Sequence, residues 1–160
     1  MTTAQTVQRQ YDLLAQYYDN RWQAYLKYSL THFAKQASPL LKENIKVLDI
    51  ACGTGTLLSD LSKEKDSIEW VGIDLSEQML EEAKKKFEKV DNIQFIQADA
   101  AKLPCKDQSI DLVFSASAFH YFEDPKKVLH EIYRVLKPAG SALLMDWCRD
   151  SWFSKIKNIW

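Results

Sequence analysis

The chain has few cysteines and no long apolar run, and each shortage excludes a class of protein. Three cysteines, Cys52, Cys105 and Cys148, lie far apart among 160 residues, so neither a disulfide framework nor a metal-like spacing is indicated. No apolar stretch approaches the roughly 18 residues that cross a bilayer, and the N-terminus lacks the apolar core of a signal peptide. We therefore expect a cytoplasmic protein with no membrane partner and no metal.

An excess of charge of either sign is also missing. Lys and Arg number 21 against 22 Asp and Glu, so the formal net charge is -1 at pH 7. Nucleic acids and anionic membranes select basic surfaces, so neither is expected as a partner. One dense charge run covers residues 81–89, where the spacing predicts ion pairs of Glu81 with Lys85 and of Glu82 with Lys86 on a solvated helix face.

The chain does contain an alternation of extended and helical patterns. Two amphipathic helical segments precede Pro39, and β-branched or aromatic runs follow at 45–50, 68–73, 93–97, 110–115 and 141–146. Amphipathic segments separate these runs, and the last one has Asp124 as N-cap and Pro138 just past its end. This alternation is typical of an α/β protein with a doubly wound, mostly parallel sheet.

The predicted organisation is a single domain over residues 1–160. Residues 1–40 form an N-terminal helical cap, residues 41–148 the ligand-binding core and residues 149–160 a C-terminal helix, in which apolar side chains share one side.

Glycine is scarce, yet two of the four glycines stand together in the segment VLDIACGTGT, residues 47–56. An apolar run, a Gly-x-Gly turn and an amphipathic segment indicate a strand that enters a helix through a turn open to a ligand. Asp49 would repel a pyrophosphate and favour a cation. Leu58 replaces the third glycine of the dinucleotide fingerprint, which argues against NAD. S-adenosylmethionine, with a sulfonium and an ammonium, fits better.

Acidic residues end or follow the first three predicted strands, at the rim where such sheets bind ligands. Asp49 belongs to the first strand. Asp74 ends the second and suits the two hydroxyls of a ribose, whereas Ser76 suits the cap of the next helix. Asp99 follows the third and would meet an adenine edge with Ala100, unless it is an ordinary turn acid.

These segments resemble the class I S-adenosylmethionine-dependent methyltransferases. VLDIACGTGTLL is similar to the first motif of that family and GIDLSEQMLEEAK to the second. QADAAKLPCKDQSIDLVFSASAFHYFEDP is similar to the third-strand acid and the fourth strand, and HEIYRVLKPAGSALLMDW to the helix before strand five. YDLLAQYYDNRW resembles the N-terminal helix that folds over the cofactor in small-molecule methyltransferases. The resemblance implies a Rossmann-like fold with five strands present and the last two absent.

The resemblance also implies a cofactor site and a reaction. The residues that would bind S-adenosylmethionine are Tyr11, Tyr18, Asp49, Ala51, Gly53, Gly55, Asp74, Leu75, Met79, Asp99, Ala100 and Ser115. The first acid and the two glycines would face the methionine part. The helical spacing of Met79 fits plain core packing equally well. The implied reaction is an SN2 methyl transfer to a small-molecule acceptor, with S-adenosylhomocysteine as product.

His120 is the candidate general base, because it follows the fourth strand and imidazole exchanges protons near neutral pH. The alternative is a structural histidine packed between Phe119 and Tyr121. Those two aromatics, with Trp22 and Trp147, either line an apolar acceptor pocket or belong to the core. A base is not obligatory, since positioning alone can supply roughly 7–11 kcal/mol of the barrier.

Three functions are left open by the sequence: a methyltransferase, a cofactor-binding module without turnover, and a nicotinamide-dependent oxidoreductase, which Asp49 and Leu58 disfavour. Without the last two strands, strand five would present an open edge. Either the chain is a shortened product or a partner chain covers that edge, and we expect a homo-oligomer.

Overall fold

The computed structural model describes residues 3–63 and 65–147. The elements in chain order are α1 (Thr3–Arg21), α2 (Gln23–Ala37), β1 (Lys46–Ile50), α3 (Thr56–Leu61), β2 (Glu69–Asp74), α4 (Glu77–Lys86), β3 (Ile93–Gln97), β4 (Ile110–Ala116), α5 (Pro125–Val135) and β5 (Leu136–Met145). None of the helices in this part of the chain combines the length and apolarity that crossing a bilayer requires. The helix predicted over 149–160 lies outside the described residues.

The strands form one sheet in the order β3-β2-β1-β4-β5, and every pair is parallel. Successive parallel strands require crossover connections, which α3, α4 and α5 provide. The strand order reverses between β1 and β4, so the carboxyl ends of these strands flank the switch point where such folds bind ligands. The α/β prediction is confirmed. Within the described residues β5 forms one edge of the sheet.

Both faces of the sheet are buried, which explains why the strand sequences are nearly continuous apolar runs. On one face Phe33 of α2 packs edge-on against Phe114 of β4, with ring centroids 5.3 Å apart. On the other face Val113 of β4 packs in a cluster that includes Val128 and Ile132 of α5. The two clusters fix the strand ends relative to the helices and so position the rim.

The fifth strand begins at Leu136, five positions earlier than the predicted start at residue 141. Ile110 of β4 pairs with Leu136, but Leu112 pairs with Ser141, so residues 137–140 leave the ladder. Pro138 lies in this excursion and has no N–H to donate to the ladder. Pro138, predicted to lie just past the end of the helix, therefore lies within β5 at the point where the strand register is irregular.

Candidate functional site

The carboxyl ends of the strands open into a cavity of about 340 Å³ beneath α1. Its walls come from α1, from the loops that follow β1 to β4, and from the start of α5. Nine predicted cofactor residues line this cavity: Tyr11, Tyr18, Ala51, Gly53, Asp74, Leu75, Met79, Asp99 and Ala100. Asp49, Gly55 and Ser115 do not line it, and the reasons differ.

The two glycines of the loop after β1, Gly53 and Gly55, have different structural roles. Both have positive φ angles, 54° at Gly53 and 71° at Gly55, a region that favours glycine. A Cβ at Gly53 would meet nothing within 4 Å, so the backbone there is open to the cavity. A Cβ at Gly55 would lie 3.1 Å from the Phe87 ring and 3.2 Å from Ala83. Gly53 thus permits a ligand to approach, whereas Gly55 permits helix packing.

Asp74 connects the end of β2 to the glycine loop. Its Oδ2 accepts a hydrogen bond from the Gly53 N–H at 2.8 Å, and its Oδ1 accepts one from the Ser76 N–H at 2.9 Å. Burial raises the pKa of Asp74 despite these hydrogen bonds. Ser76 accepts a hydrogen bond from the Met79 N–H at 3.2 Å, so its predicted role as the cap of α4 is confirmed.

Asp49 lies in β1 with only 2% of its surface exposed. It borders a side cavity of about 60 Å³ that shares Tyr18, Ala51 and Gly53 with the main cavity. Burial raises the pKa of Asp49, and the negative charge of the nearby Asp74 raises it further. No hydrogen bond within the described part of the chain opposes this shift. A buried carboxyl of this kind gains most from a cationic neighbour.

The residues predicted to lie beside the adenine are Asp99, Ala100 and Met79. Asp99 is exposed, and its Oδ1 accepts the Ala101 N–H at 2.8 Å in a local turn. Ala100 is buried and Met79 is 1% exposed, and both line the cavity while they pack in the interior. The core-packing interpretation of Met79 is therefore confirmed, and its contact with the adenine stays a prediction.

The α1 helix is attached to the glycine loop by a network that the sequence did not predict. Asp19 accepts hydrogen bonds from Thr54 Oγ1 at 2.6 Å and Thr56 Oγ1 at 3.2 Å. It also forms an ion pair with Lys86 of α4, whose ammonium donates to both threonines. Burial would raise the pKa of Asp19, but the hydrogen bonds, led by that from Lys86, lower it.

The ion pairs predicted along α4, Glu81 with Lys85 and Glu82 with Lys86, are wrong, because Lys86 pairs with Asp19 instead. Lys86 turns toward α1 rather than toward Glu82, and Lys85 pairs with Glu82 at 2.7 Å instead of with Glu81. Lys86 gains three partners in this direction, the Asp19 carboxylate and the hydroxyls of Thr54 and Thr56.

Ser115 does not face the ligand cavity. Its side chain is fully buried, and its Oγ has no hydrogen-bond partner among the described residues. The strand continues through Ala116, so the cavity is lined by Ala116, Ser117 and Ala118 instead. Ser117 has a φ of 59° and its Oγ lies 2.6 Å from the Tyr25 hydroxyl. The serine that lines the cavity is therefore Ser117, two positions after the predicted Ser115.

His120 lies beside the cavity rather than in its wall. Its Nδ1 is 2.6 Å from Asp146 Oδ1 at the end of β5, a partner that the sequence did not predict. Its ring centroid is 4.0 Å from that of Tyr121, which does line the cavity. Of the two aromatic neighbours predicted for a structural histidine, Tyr121 contacts the imidazole ring.

The predicted aromatic set divides into two groups. Phe119 packs on Phe122 in the interior. Trp147 stacks on Tyr25 with centroids 5.0 Å apart, Trp22 meets Tyr25 edge-on at 6.4 Å, and both tryptophans are exposed.

Comparison with known proteins agrees with this geometry. The family described as "Methyltransferase domain" matches residues 48–144. A malonyl-[acyl-carrier protein] O-methyltransferase of a Marinomonas species is 42% identical over 94 residues, which cover 59% of this chain and 35% of that protein. A demethylmenaquinone methyltransferase of Thermotoga maritima is 35% identical over 149 residues, which cover 90% of this chain and 62% of that protein.

A solved structure is similar as well. The crystal structure of a SAM-dependent methyltransferase from Aquifex aeolicus aligns with a TM-score of 0.67 and 32% identity, covering 73% of this chain and 64% of that one. The chain matches less than two thirds of the length of these relatives. From the family match, which spans more than half of the sequence and reaches from β1 to β5, the chain belongs to the class I S-adenosylmethionine-dependent methyltransferases.

Proposed function

We propose that the chain binds S-adenosylmethionine in the cavity beneath α1 and transfers its methyl group to a small-molecule acceptor. The observation that carries this proposal is the buried Asp49 carboxyl, which accepts no hydrogen bond from the described residues and shares a side cavity with the open backbone of Gly53. A ligand with positive charge would satisfy the acid and fill the space at the glycine. A nicotinamide dinucleotide would bring a pyrophosphate to the same place and be repelled.

The residues that fit the cofactor lie in a row along the rim. Asp74 lines the cavity at the end of β2 and would accept the ribose hydroxyls. Asp99 and Ala100 would meet the adenine, and Tyr11 and Tyr18 would cover the ligand from α1. The sulfonium supplies an activated methyl group when bound. The contribution of the chain is to orient the acceptor and exclude water, which can account for roughly 7–11 kcal/mol.

The relatives support a small acceptor group, since their names specify demethylmenaquinone and malonyl-[acyl-carrier protein] as substrates. In this chain Tyr25, Trp22 and Trp147 form an aromatic edge next to Ser117, a residue of the cavity wall. We place the acceptor along that edge, where exposed rings can cover an apolar molecule.

Calorimetry and a transfer assay test the proposal. S-adenosylmethionine and S-adenosylhomocysteine should both bind, and NAD should not. Tritiated methyl groups from the cofactor should then appear on members of a panel of phenols, amines, thiols and carboxylates. Binding without any transfer would favour the second candidate, a cofactor-binding module. Binding of NAD alone would overturn both.

Lys86→Met should speed cofactor release. The substitution removes the ion pair with Asp19 and leaves the bonds between Asp19 and the threonine hydroxyls to hold α1 to the glycine loop. A charge-assisted bond is worth roughly 1.5–3 kcal/mol, so we expect the dissociation rate of S-adenosylhomocysteine, measured by stopped-flow displacement, to rise about tenfold. Lys85→Met, next in sequence but paired only on the surface, is the control and should change nothing. Equal rates in both variants would exclude a role for the network.

A further inference from the structure

The side of α1 that faces away from the cavity carries a row of basic and apolar side chains. Arg9, Leu13, Tyr17 and Arg21 are spaced four residues apart, so they follow one another along one side of the helix. All four are exposed, Leu13 to 74% and Tyr17 to 66%. We call these four residues the outer stripe of α1. Two large apolar side chains are thus held in water between two positive charges.

The opposite side of α1 is occupied by the cofactor site, so the outer stripe has no part in it. Tyr11 and Tyr18 line the main cavity, and Ala15 between them is 4% exposed. Asp12 accepts a hydrogen bond at 2.6 Å from the serine that caps α4, and Asp19 pairs with the lysine of that helix. Both acids of α1 therefore bond to the body of the protein, whereas its two arginines face away from it.

The charge of this surface differs in sign from the net charge of the chain. Together α1 and α2 contain four basic residues, Arg9, Arg21, Lys27 and Lys35, and all four are exposed. None of them forms an ion pair within the described segments. The only acids of the two helices are the pair that bonds to the body of the protein. The net charge of -1 averages over this distribution and does not reveal it.

Two exposed tryptophans lie beside the junction of α1 and α2, where the outer stripe ends. Trp22 is 42% exposed, and the guanidinium carbon of Arg21 lies 5.8 Å from the centroid of its ring. Trp147 is 58% exposed and stacks on Tyr25 in the first turn of α2. Tryptophan and tyrosine rings are enriched at the boundary between lipid headgroups and acyl chains, and anionic headgroups attract basic side chains nearby.

We propose that the outer stripe of α1, together with Trp22 and Trp147, docks the chain on the surface of an anionic lipid bilayer. The arginines meet the headgroup phosphates, and the apolar side chains enter the layer between headgroups and acyl chains. Binding of this kind is peripheral, because the helix lies in the plane of the interface. The inference goes beyond the proposed function and does not depend on cofactor binding.

A bilayer fits this surface better than a folded partner does. The α1 residues that line the two cavities described above all lie on its inner side, and the outer stripe is the convex side of a single helix. The centre of a protein interface is typically a pocket that an anchor side chain fills, whereas an interfacial helix needs only apolar side chains that enter the lipid and basic ones beside them. Docking also brings the aromatic edge proposed for the acceptor to the lipid surface.

Vesicle binding tests the inference. The full chain should sediment at low ionic strength with vesicles of phosphatidylcholine and phosphatidylglycerol in equal parts, and should stay in solution with vesicles of phosphatidylcholine alone. A basic residue near an anionic surface strengthens binding by about fivefold. Replacing both arginines of the stripe, Arg9→Gln with Arg21→Gln, should therefore weaken vesicle binding by about 25-fold. Added salt should weaken the binding of the unmodified chain, because it screens exposed charges.

The matched control for the apolar part of the stripe lies on α5. Leu129 and Tyr133 repeat its leucine and tyrosine at the same spacing and are 45% and 83% exposed, but the basic residue that follows them, Lys137, is already paired with a carboxylate. The double variant Leu13→Ser with Tyr17→Ser should weaken vesicle binding by at least about tenfold. Serine at both α5 positions should leave it unchanged. Thermal unfolding should be the same in both double variants, because all the replaced side chains are exposed.

The opposing results identify other partners. Equal losses in the α1 and α5 double variants, or equal binding to both kinds of vesicle, would overturn the inference. Tighter binding to polyglutamate than to vesicles would indicate an acidic protein instead of a bilayer. Dimerisation without lipid that the double arginine variant abolishes would indicate a second copy of the chain, and either result would overturn the inference. Calorimetry with S-adenosylmethionine in the absence of vesicles tests the proposed function separately, and all these variants should bind it equally.

Discussion

Asp74→Ala should weaken S-adenosylmethionine binding by about 100- to 1,000-fold. Asp74 Oδ1 and Oδ2 hold the Ser76 and Gly53 N–H groups, and their remaining lone pairs would bind the ribose. Each hydrogen bond to a charged group is worth roughly 1.5–3 kcal/mol, and about 1.4 kcal/mol corresponds to tenfold in affinity. Two lost ribose bonds and a loosened glycine loop together give the expected range, which titration calorimetry measures.

Asp111→Ala is the matched control for this variant. Asp111 also accepts a backbone N–H, that of Lys46 at 2.9 Å, and pairs with Lys137, but it belongs to β4 near its start, away from the cavity. Both substitutions should lower the unfolding free energy, by about 1–3 kcal/mol. If Asp74→Ala reduced the affinity no more than Asp111→Ala does, ribose recognition by Asp74 would be excluded.

Features that depend on neighbouring residues in the chain were predictable. Each strand–turn–helix unit carries its own signals: an apolar run, a special turn and a cap, as at Gly53, Ser76 and Asp124. In a parallel sheet these units align in the same direction. The rim that contains Asp74 and Asp99 could therefore be assembled from local patterns alone.

Features that depend on contacts between distant segments were not predictable. The Asp19–Lys86 ion pair and the His120–Asp146 pair join elements whose relative placement only the folded chain defines. The strand β4 extends through Ala116, one residue beyond its predicted end, so Ser115 is a strand residue with a fully buried side chain rather than the first residue of the rim. Strand ends are uncertain by more than the single residue that decides this orientation.

Asp49 should make the stability of the ligand-free chain fall as pH rises. Burial, reinforced by Asp74, raises the pKa of Asp49 in the folded chain, so the folded chain binds this proton more tightly than the unfolded chain does. The destabilisation is absent below the ordinary carboxyl pKa of about 3.9 and grows until the pH exceeds the raised value. The pKa of Asp111 shifts in the opposite direction, because the hydrogen bonds from Lys137 and Lys46 outweigh the effect of its burial and lower the pKa. The stabilisation that Asp111 contributes is therefore present at neutral pH and lost in acid.

Asp49→Asn should therefore stabilise the ligand-free chain and weaken its binding of S-adenosylmethionine. The amide has no charge to bury, so we expect the unfolding free energy in urea at pH 7.5 to rise by about 1–3 kcal/mol, the scale of an unsatisfied buried group. The same change removes the anion that a sulfonium or ammonium would meet, and the affinity should fall about 10- to 100-fold. Asp111→Asn should instead lower the unfolding free energy and leave the affinity unchanged. A simple structural role for Asp49 predicts a loss of stability, so a destabilised Asp49→Asn chain with full affinity would contradict the electrostatic account of this site.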